Sequence, residues 1–231
     1  MALITCKNLK LGYEGEVVVK DISFEINSGD YLCIIGDNGS GKTTLVKTIL
    51  GLNKPIEGEV VFGEGLSRTD IGYLSQRTDI QKDFPATVSE IVLSGCLSHM
   101  KHRFFYSKED KRMAMENMEK MGISNLAKTC FANLSGGQQQ RTLLARALCS
   151  TGKIIFLDEP VSSLDPEATE EMYEIVNDLN KKDNITIVMI SHDIRNVEKY
   201  ASHVLSISDK SSYGTIEEFL EGEKKGVDDN G

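Results

Sequence analysis

The sequence predicts an α/β fold with a mainly parallel core sheet, an antiparallel N-terminal β subdomain and a helical insertion. Three observations carry that expectation. Solid apolar runs at Leu32 to Ile35, Ile154 to Leu157 and Ile185 to Ile190 have the length and continuity of strands buried on both faces. Residues before Gly36 instead alternate apolar and polar, most clearly at Ile22, Phe24 and Ile26, as in a sheet with one wet face. From Thr87 to Gln140 the chain has no strand-like run and several helical ones.

Element by element, Leu3 and Ile4, Val17 to Val19 and Ile22 to Ile26 read as an edge meander that leads into the buried strand at Leu32. Leu45, Val46, Ile49 and Leu50 then fall at helical spacing and end at Gly51, a residue suited to closing a helix. Helices are expected around Val88 to Leu97, Lys108 to Met121 and Gln138 to Cys149, within an insertion of about 87–150. The run at Ile154 delivers Asp158 and Glu159 at its carboxyl end, and the run at Ile185 delivers Ser191 and His192. Between them, Ala168, Met172, Ile175, Val176 and Leu179 mark the crossover helix that parallel strands need. We expect a single domain over 1–231, with 222–231 as a flexible tail because glycines and charges dominate it.

Composition excludes several classes. The chain carries 26 Lys and Arg against 35 Asp and Glu, a net charge of −9. That balance disfavours a general nucleic-acid binder, which needs clustered cations to neutralise phosphates. No apolar run approaches the roughly 18 residues that span a bilayer, and the first residues lack the apolar core of a secretory signal. Cys6, Cys33, Cys96, Cys130 and Cys149 are odd in number, scattered and never spaced C-x-x-C, which argues against a disulfide framework or a zinc ribbon. His99 and His102 beside Cys96 have ligand chemistry but no fourth ligand at the usual spacing, and Lys108, Lys111 and Arg112 are interleaved with acids as on a salt-bridged helix face.

The chemistry is concentrated in short motifs. Gly36-Asp37-Asn38-Gly39-Ser40-Gly41-Lys42-Thr43 fits G-x-x-x-x-G-K-[ST] and lies between an expected strand and an expected helix, the context a phosphate-binding loop requires. Glycines let consecutive amides curl round an anion, Lys42 supplies a mobile cation, and Thr43 offers a hydroxyl to Mg²⁺. The paired acids Asp158 and Glu159 follow about 115 residues on, where one carboxylate can hold hydrated Mg²⁺ and the other can reach a water. Leu134-Ser135-Gly136-Gly137-Gln138 places a hydroxyl and glycine amides at a helix start, a second anion site in one chain.

With Tyr13, Gln76, Ser163-Leu164-Asp165 and His192, these segments resemble, in order from about Leu3 to Ile207, the nucleotide-binding subunit of ATP-binding cassette (ABC) transporters. The resemblance implies a P-loop NTPase cassette that binds ATP and Mg²⁺ as a head-to-tail homodimer, each nucleotide lying between one copy's loop and the other's signature. It implies Lys42, Gln76, Glu159 and His192 as catalytic, with Glu159 polarising the attacking water and His192 contacting the γ-phosphate. Nucleotide contacts would come from Tyr13, under the adenine, from Gly36, Asp37, Asn38, Gly39, Ser40, Gly41, Lys42, Thr43 and Thr44, and from Ser135, Gly136, Gly137 and Gln138. Thr43, Gln76 and Asp158 would serve the metal, and Asp165 the dimer seam.

The segment from Asp83 to Val88 and the run Gln138 to Arg141 resemble the ATPases of zinc and manganese importers. That likeness implies a peripheral subunit on the cytoplasmic face of the membrane, seated on a permease through about 77–106, with an extracytoplasmic substrate-binding protein served indirectly and no nucleic acid. Phe84 is then a candidate anchor for the permease. Two other readings stay open: a soluble cassette ATPase of a non-transport complex, and a nucleotide-gated clamp whose hydrolysis is incidental. Ser75 stands where the family often has proline, and the usual glycine-rich hairpin after the last strand is reduced to Ser208-Asp209-Lys210-Ser211.

Overall fold

The computed structural model describes residues 1–13, 16–63, 65–76, 85–100, 103–208 and 210–228, the side chains of Tyr13, His99 and 223–228 excepted. These residues pack as two compact units, Met1–Arg68 with Thr186–Gly231, and Thr69–Ile185. The first unit begins with strands β1 (Ala2–Tyr13), β2 (Glu16–Asn27) and β3 (Tyr31–Gly36), helix α1 (Lys42–Ile49) and strand β4 (Glu57–Phe62). The second holds β5 (Ile71–Leu74), α2 (Val88–Ser94), α3 (Lys108–Lys120), α4 (Gly136–Leu148), β6 (Ile154–Asp158) and α5 (Pro166–Lys181). The chain then returns to the first unit with β7 (Thr186–Ile190), α6 (Ile194–Tyr200), β8 (His203–Ile207), β9 (Ser212–Thr215) and α7 (Ile216–Asp228).

In the first unit β1 lies between β2 and β4, antiparallel to both. What the sequence presents as separate short runs is one twelve-residue strand, β2, with Val19, Ile22, Phe24 and Ile26 buried and the residues between them mostly turned to solvent. Strand β4 has only a short apolar run, Val60 to Phe62. It is held by its ladder with β1 and by the cross-strand pairs Lys7–Glu59 and Lys10–Glu57. The other sheet of this unit centres on β3, parallel to β7 on one side and to β8 on the other, with β9 antiparallel to β8. All five residues of β7 are buried, as the solid apolar run requires. The reduced hairpin closes through Ser208, whose hydroxyl donates to the Lys210 carbonyl at 2.9 Å. Helix α7 continues to Asp228, through the start of the glycine- and charge-rich segment, and its first residue Ile216 is buried.

The second unit pairs β5 with β6 in parallel and packs α4 against α2, α3 and α5. Val92, Leu144, Met121 and Phe156 are at most 1% exposed, and burial of each side chain contributes roughly 1.5–3 kcal/mol. The helices expected around Val88 and Lys108 are present, and each starts on a reciprocal capping box, Thr87 with Glu90 and Ser107 with Asp110. Glu109 and Glu116 flank Arg112 on the solvent face of α3. Cys96 is fully buried, and its thiol, pushed up to about 12 chiefly by that burial, contacts the Asp110 carbonyl. The His99 side chain and all of His102 lie outside the described residues. Among the described residues no cluster of three or more His, Cys, Asp or Glu side chains could hold a metal ion, and no helix is long and apolar enough to cross a membrane.

Asp110 ties the start of α3 to the loop before it. Only 4% exposed, it accepts from both terminal guanidinium nitrogens of Arg103, at 2.8 and 3.2 Å, together with the Ser107 amide at 2.6 Å and hydroxyl at 2.9 Å. The Arg103 hydrogen bonds hold its carboxyl down at about 2, so its stabilising contribution is complete above the ordinary carboxylate range and fades as pH falls from about 4 toward 2. Asp110→Asn is expected to cost about 1–2 kcal/mol at neutral pH and to flatten the loss of stability over that acid range, as urea melts at several pH values would read. Parallel acid limbs in both proteins would refute this role.

Candidate functional site

The phosphate-loop sequence sits where the first unit turns from β3 into α1. Gly36 (φ 146°) leaves the strand so close to the Ile207 carbonyl that a Cβ there would lie 2.4 Å from its oxygen, which restricts the position to glycine. Gly41 (φ 101°) is the residue before α1 and gives the helix no side-chain cap, so the first amides of α1 carry their partial positive charge with no capping side chain. Gly39 faces open space: nothing lies within 4 Å of where its Cβ would be. Lys42 is only 6% exposed, and its Nζ donates to the Gly36 and Asp37 carbonyls at 2.8 and 2.7 Å. Ser40 Oγ is buried without a hydrogen-bond partner. A buried orphan hydroxyl beside uncapped amides has the chemistry of a cradle for anionic oxygens.

Around this loop, Asp37 and Asn38 are exposed, Thr43 and Thr44 are half-buried, and the Thr44 carbonyl accepts from Thr48 within α1. His192 is exposed just beyond β7, between the buried Ser191 and Asp193, whose carboxylate caps α6. Tyr13 closes β1 opposite Glu16; its side chain lies outside the described residues.

The second unit gathers the acids. Asp158 is 2% exposed at the end of the wholly buried β6, and Glu159 follows with φ 49°, a left-handed conformation that costs a non-glycine residue of order 1 kcal/mol or more and turns its side chain off the strand line. Gln76, just past β5, donates from Nε2 to Glu159 Oε2 at 2.6 Å. Tyr73 on β5 hydrogen-bonds Asp158; burial first and this carboxylate second push its phenol up to about 12, so the O–H stays a donor. The motifs single out Gln76, Asp158 and Glu159 but not Tyr73. Its signal is parity along β5, readable only once the strand register is known.

The signature residues open α4. Ser135 Oγ accepts from the Gln138 amide at 3.3 Å, and the Gln138 side chain accepts from the Ser135 amide at 3.1 Å, so the segment caps itself and leaves the Ser135 proton to donate elsewhere. Gly137 packs so near α5 that a Cβ would lie 3.2 Å from that of Ala168. Asp165 caps α5 through the Ala168 amide at 2.9 Å with Pro166 in the first turn. Asp83 and Phe84 lie outside the described residues, while Pro85 is exposed and Ala86 buried.

Residues 19–162 match the model of a family described as ABC transporter. The manganese transport system ATP-binding protein MntB of Bacillus subtilis is 36% identical over 201 residues, covering 86% of this chain and 80% of its own. The zinc uptake system ATP-binding protein ZurA of Listeria innocua is 35% identical over 213 residues, covering 89% and 82%. Among solved structures, a dimeric ATP-binding cassette in a post-hydrolysis state with ADP and phosphate superposes with a TM-score of 0.73 at 28% identity, over 90% of this chain and 97% of that one.

Lys42→Met removes the ammonium and keeps most of the buried stem. Fluorescent ATP titration is expected to show affinity at least tenfold weaker with a melting temperature within a few degrees of the parent. Unchanged affinity would remove Lys42 from the site.

Proposed function

The chain belongs to the ABC transporter family, and we propose that it is the nucleotide-binding subunit of an importer for a divalent metal ion, zinc or manganese. Its membership and relatives make it an ATPase that energises a transporter. The metal cargo is our inference from the names of the two relatives, because no residue of this chain is expected to touch the ion.

The observation that carries the site assignment is the orphaned Ser40 hydroxyl in the glycine loop before the uncapped α1. Under this reading the loop amides from Gly36 to Thr44, with Lys42, would bind the β- and γ-phosphates, Lys42 exchanging its two carbonyls for phosphate oxygens. The Thr43 hydroxyl, the Gln76 amide oxygen and the Asp158 carboxylate are hard oxygen donors that fit Mg²⁺ and would hold it; the bound ion neutralises charge on the phosphate oxygens. Glu159 would orient and polarise the attacking water, and His192 would contact the γ-phosphate. Tyr13 would stack on adenine.

Two copies head to tail would complete each site, since Ser135 keeps a proton to donate and Gly136, Gly137 and Gln138 stand at the start of α4. The reading also takes the whole chain as one cassette at the cytoplasmic face of the membrane, with an extracytoplasmic substrate-binding protein served through the permease. Support for permease docking across about 77–106 comes from Phe104 and Phe105, 92% and 86% exposed in adjacent positions. The soluble-complex and clamp readings have no comparable support, as both relatives are transport-system subunits.

Glu159→Gln keeps the side chain's shape and removes the base. Hydrolysis is expected to fall by roughly 10²-fold or more while ATP drives a dimer visible by size-exclusion chromatography. A monomer at high protein and ATP concentration would overturn the shared-site reading. Phe104→Ser with Phe105→Ser should leave ATPase activity and melting temperature nearly intact but release the protein from membranes that carry its permease; retention with the membranes would remove these residues from the docking surface.

A further inference from the structure

We propose that Tyr73 is a positioning residue for the metal-binding carboxylate, its phenol donating a hydrogen bond that aims Asp158 out of the strand end. The inference rests on the assignment of Asp158 to Mg²⁺. Strands β5 and β6 run in parallel with Tyr73 opposite Phe156 and Leu74 opposite Leu157. Partners in register share a face of the sheet, and the period of two puts Asp158 on the face of Phe156 and therefore on that of Tyr73.

Asp158 lies two residues beyond Phe156, about 6.6 Å along the strand, a span that a tyrosine leaning along the strand covers and a shorter side chain does not. The phenol is half-buried and hydrogen-bonds the carboxylate, which is itself 2% exposed. A carboxylate so buried keeps its aim through hydrogen-bond donors such as this one.

Three residues later the same strand end supplies Gln76, which holds Glu159 at 2.6 Å. One short strand thus sets both acids. On this reading Tyr73 acts through Asp158 and is not itself a ligand of the metal. The ring itself would pack equally well without its hydroxyl, so Tyr73→Phe separates orientation from packing.

The test uses the full chain. Mn²⁺ binding in the presence of a non-hydrolysable ATP analogue, followed by electron paramagnetic resonance, and the Mg²⁺ concentration for half-maximal ATPase activity should both weaken three- to tenfold in Tyr73→Phe. Nucleotide affinity in EDTA and the melting temperature should stay unchanged. Equal metal dependence in the two proteins, or an equal loss of metal-free nucleotide affinity, would overturn the proposal. Asp158→Asn is the companion: if it shifts metal binding and Tyr73→Phe does not, the Tyr73 role alone fails. If Asp158→Asn leaves metal binding untouched, the metal assignment falls and the Tyr73 role with it. In the Asp158→Asn background, removing the phenol should have no further effect on metal binding, and an additive loss would contradict action through Asp158. This last comparison holds even where Tyr73→Phe lowers stability.

Discussion

A strand buried on both faces must bring its polar chemistry to its carboxyl end, and that constraint organises this protein. Strands β3, β6 and β7 have no wet face along which a polar side chain could be placed. Each ends in a sharp change of character: the glycine loop after β3, Asp158 and Glu159 at β6, and Ser191 and His192 after β7. The apolar runs supply the burial that anchors these ends, and the ends supply the chemistry. Positive-φ backbone at Gly36 and Glu159 occurs where the chain leaves such a strand.

The two glycine-containing helix starts follow different electrostatic designs. Helix α1 has no capping side chain, and its lysine is parked on two carbonyls of its own loop. An anion arriving there would meet a helix start without a capping side chain and a cation that needs little movement to reach it. Helix α4 is closed by Ser135 and Gln138, so its first amides are partly satisfied and a phosphate there would gain mainly the Ser135 proton and the glycine backbone.

The acidic end of β6 is held from β5. Gln76 on Glu159 and Tyr73 on Asp158 keep two negative groups in place side by side, each with its own neutral donor. In the same unit, Asp110 collects Arg103 and Ser107 in a comparable way, but there the result is mechanical: the loop carrying Phe104 and Phe105 is tied to α3 and keeps its aromatic rings in solvent. Similar hydrogen-bonding chemistry holds two acids at a strand end in one place and fixes a surface loop in the other.

Much of this was legible in the residues alone. Solid and alternating apolar runs reported the buried and half-wet strands, helical spacing reported α1, α3, α4 and α5, and the glycine loop, the acidic strand end and Leu134 to Gln138 reported the chemistry, because all of these are local patterns with a period of one or two turns. Strands β4 and β5 did not stand out, since their apolar stretches, Val60 to Phe62 and Ile71 to Leu74, are short and each is fixed by pairing with a distant strand. The Gln76–Glu159 bond joins residues 83 apart, the Tyr73–Asp158 contact depends on the register of two parallel strands, and the orphaned Ser40 hydroxyl reflects what surrounds it in three dimensions. Sequence names the groups that can do chemistry; only the register of distant strands decides which of them meet, because a slip of one residue would turn Tyr73 to the opposite face.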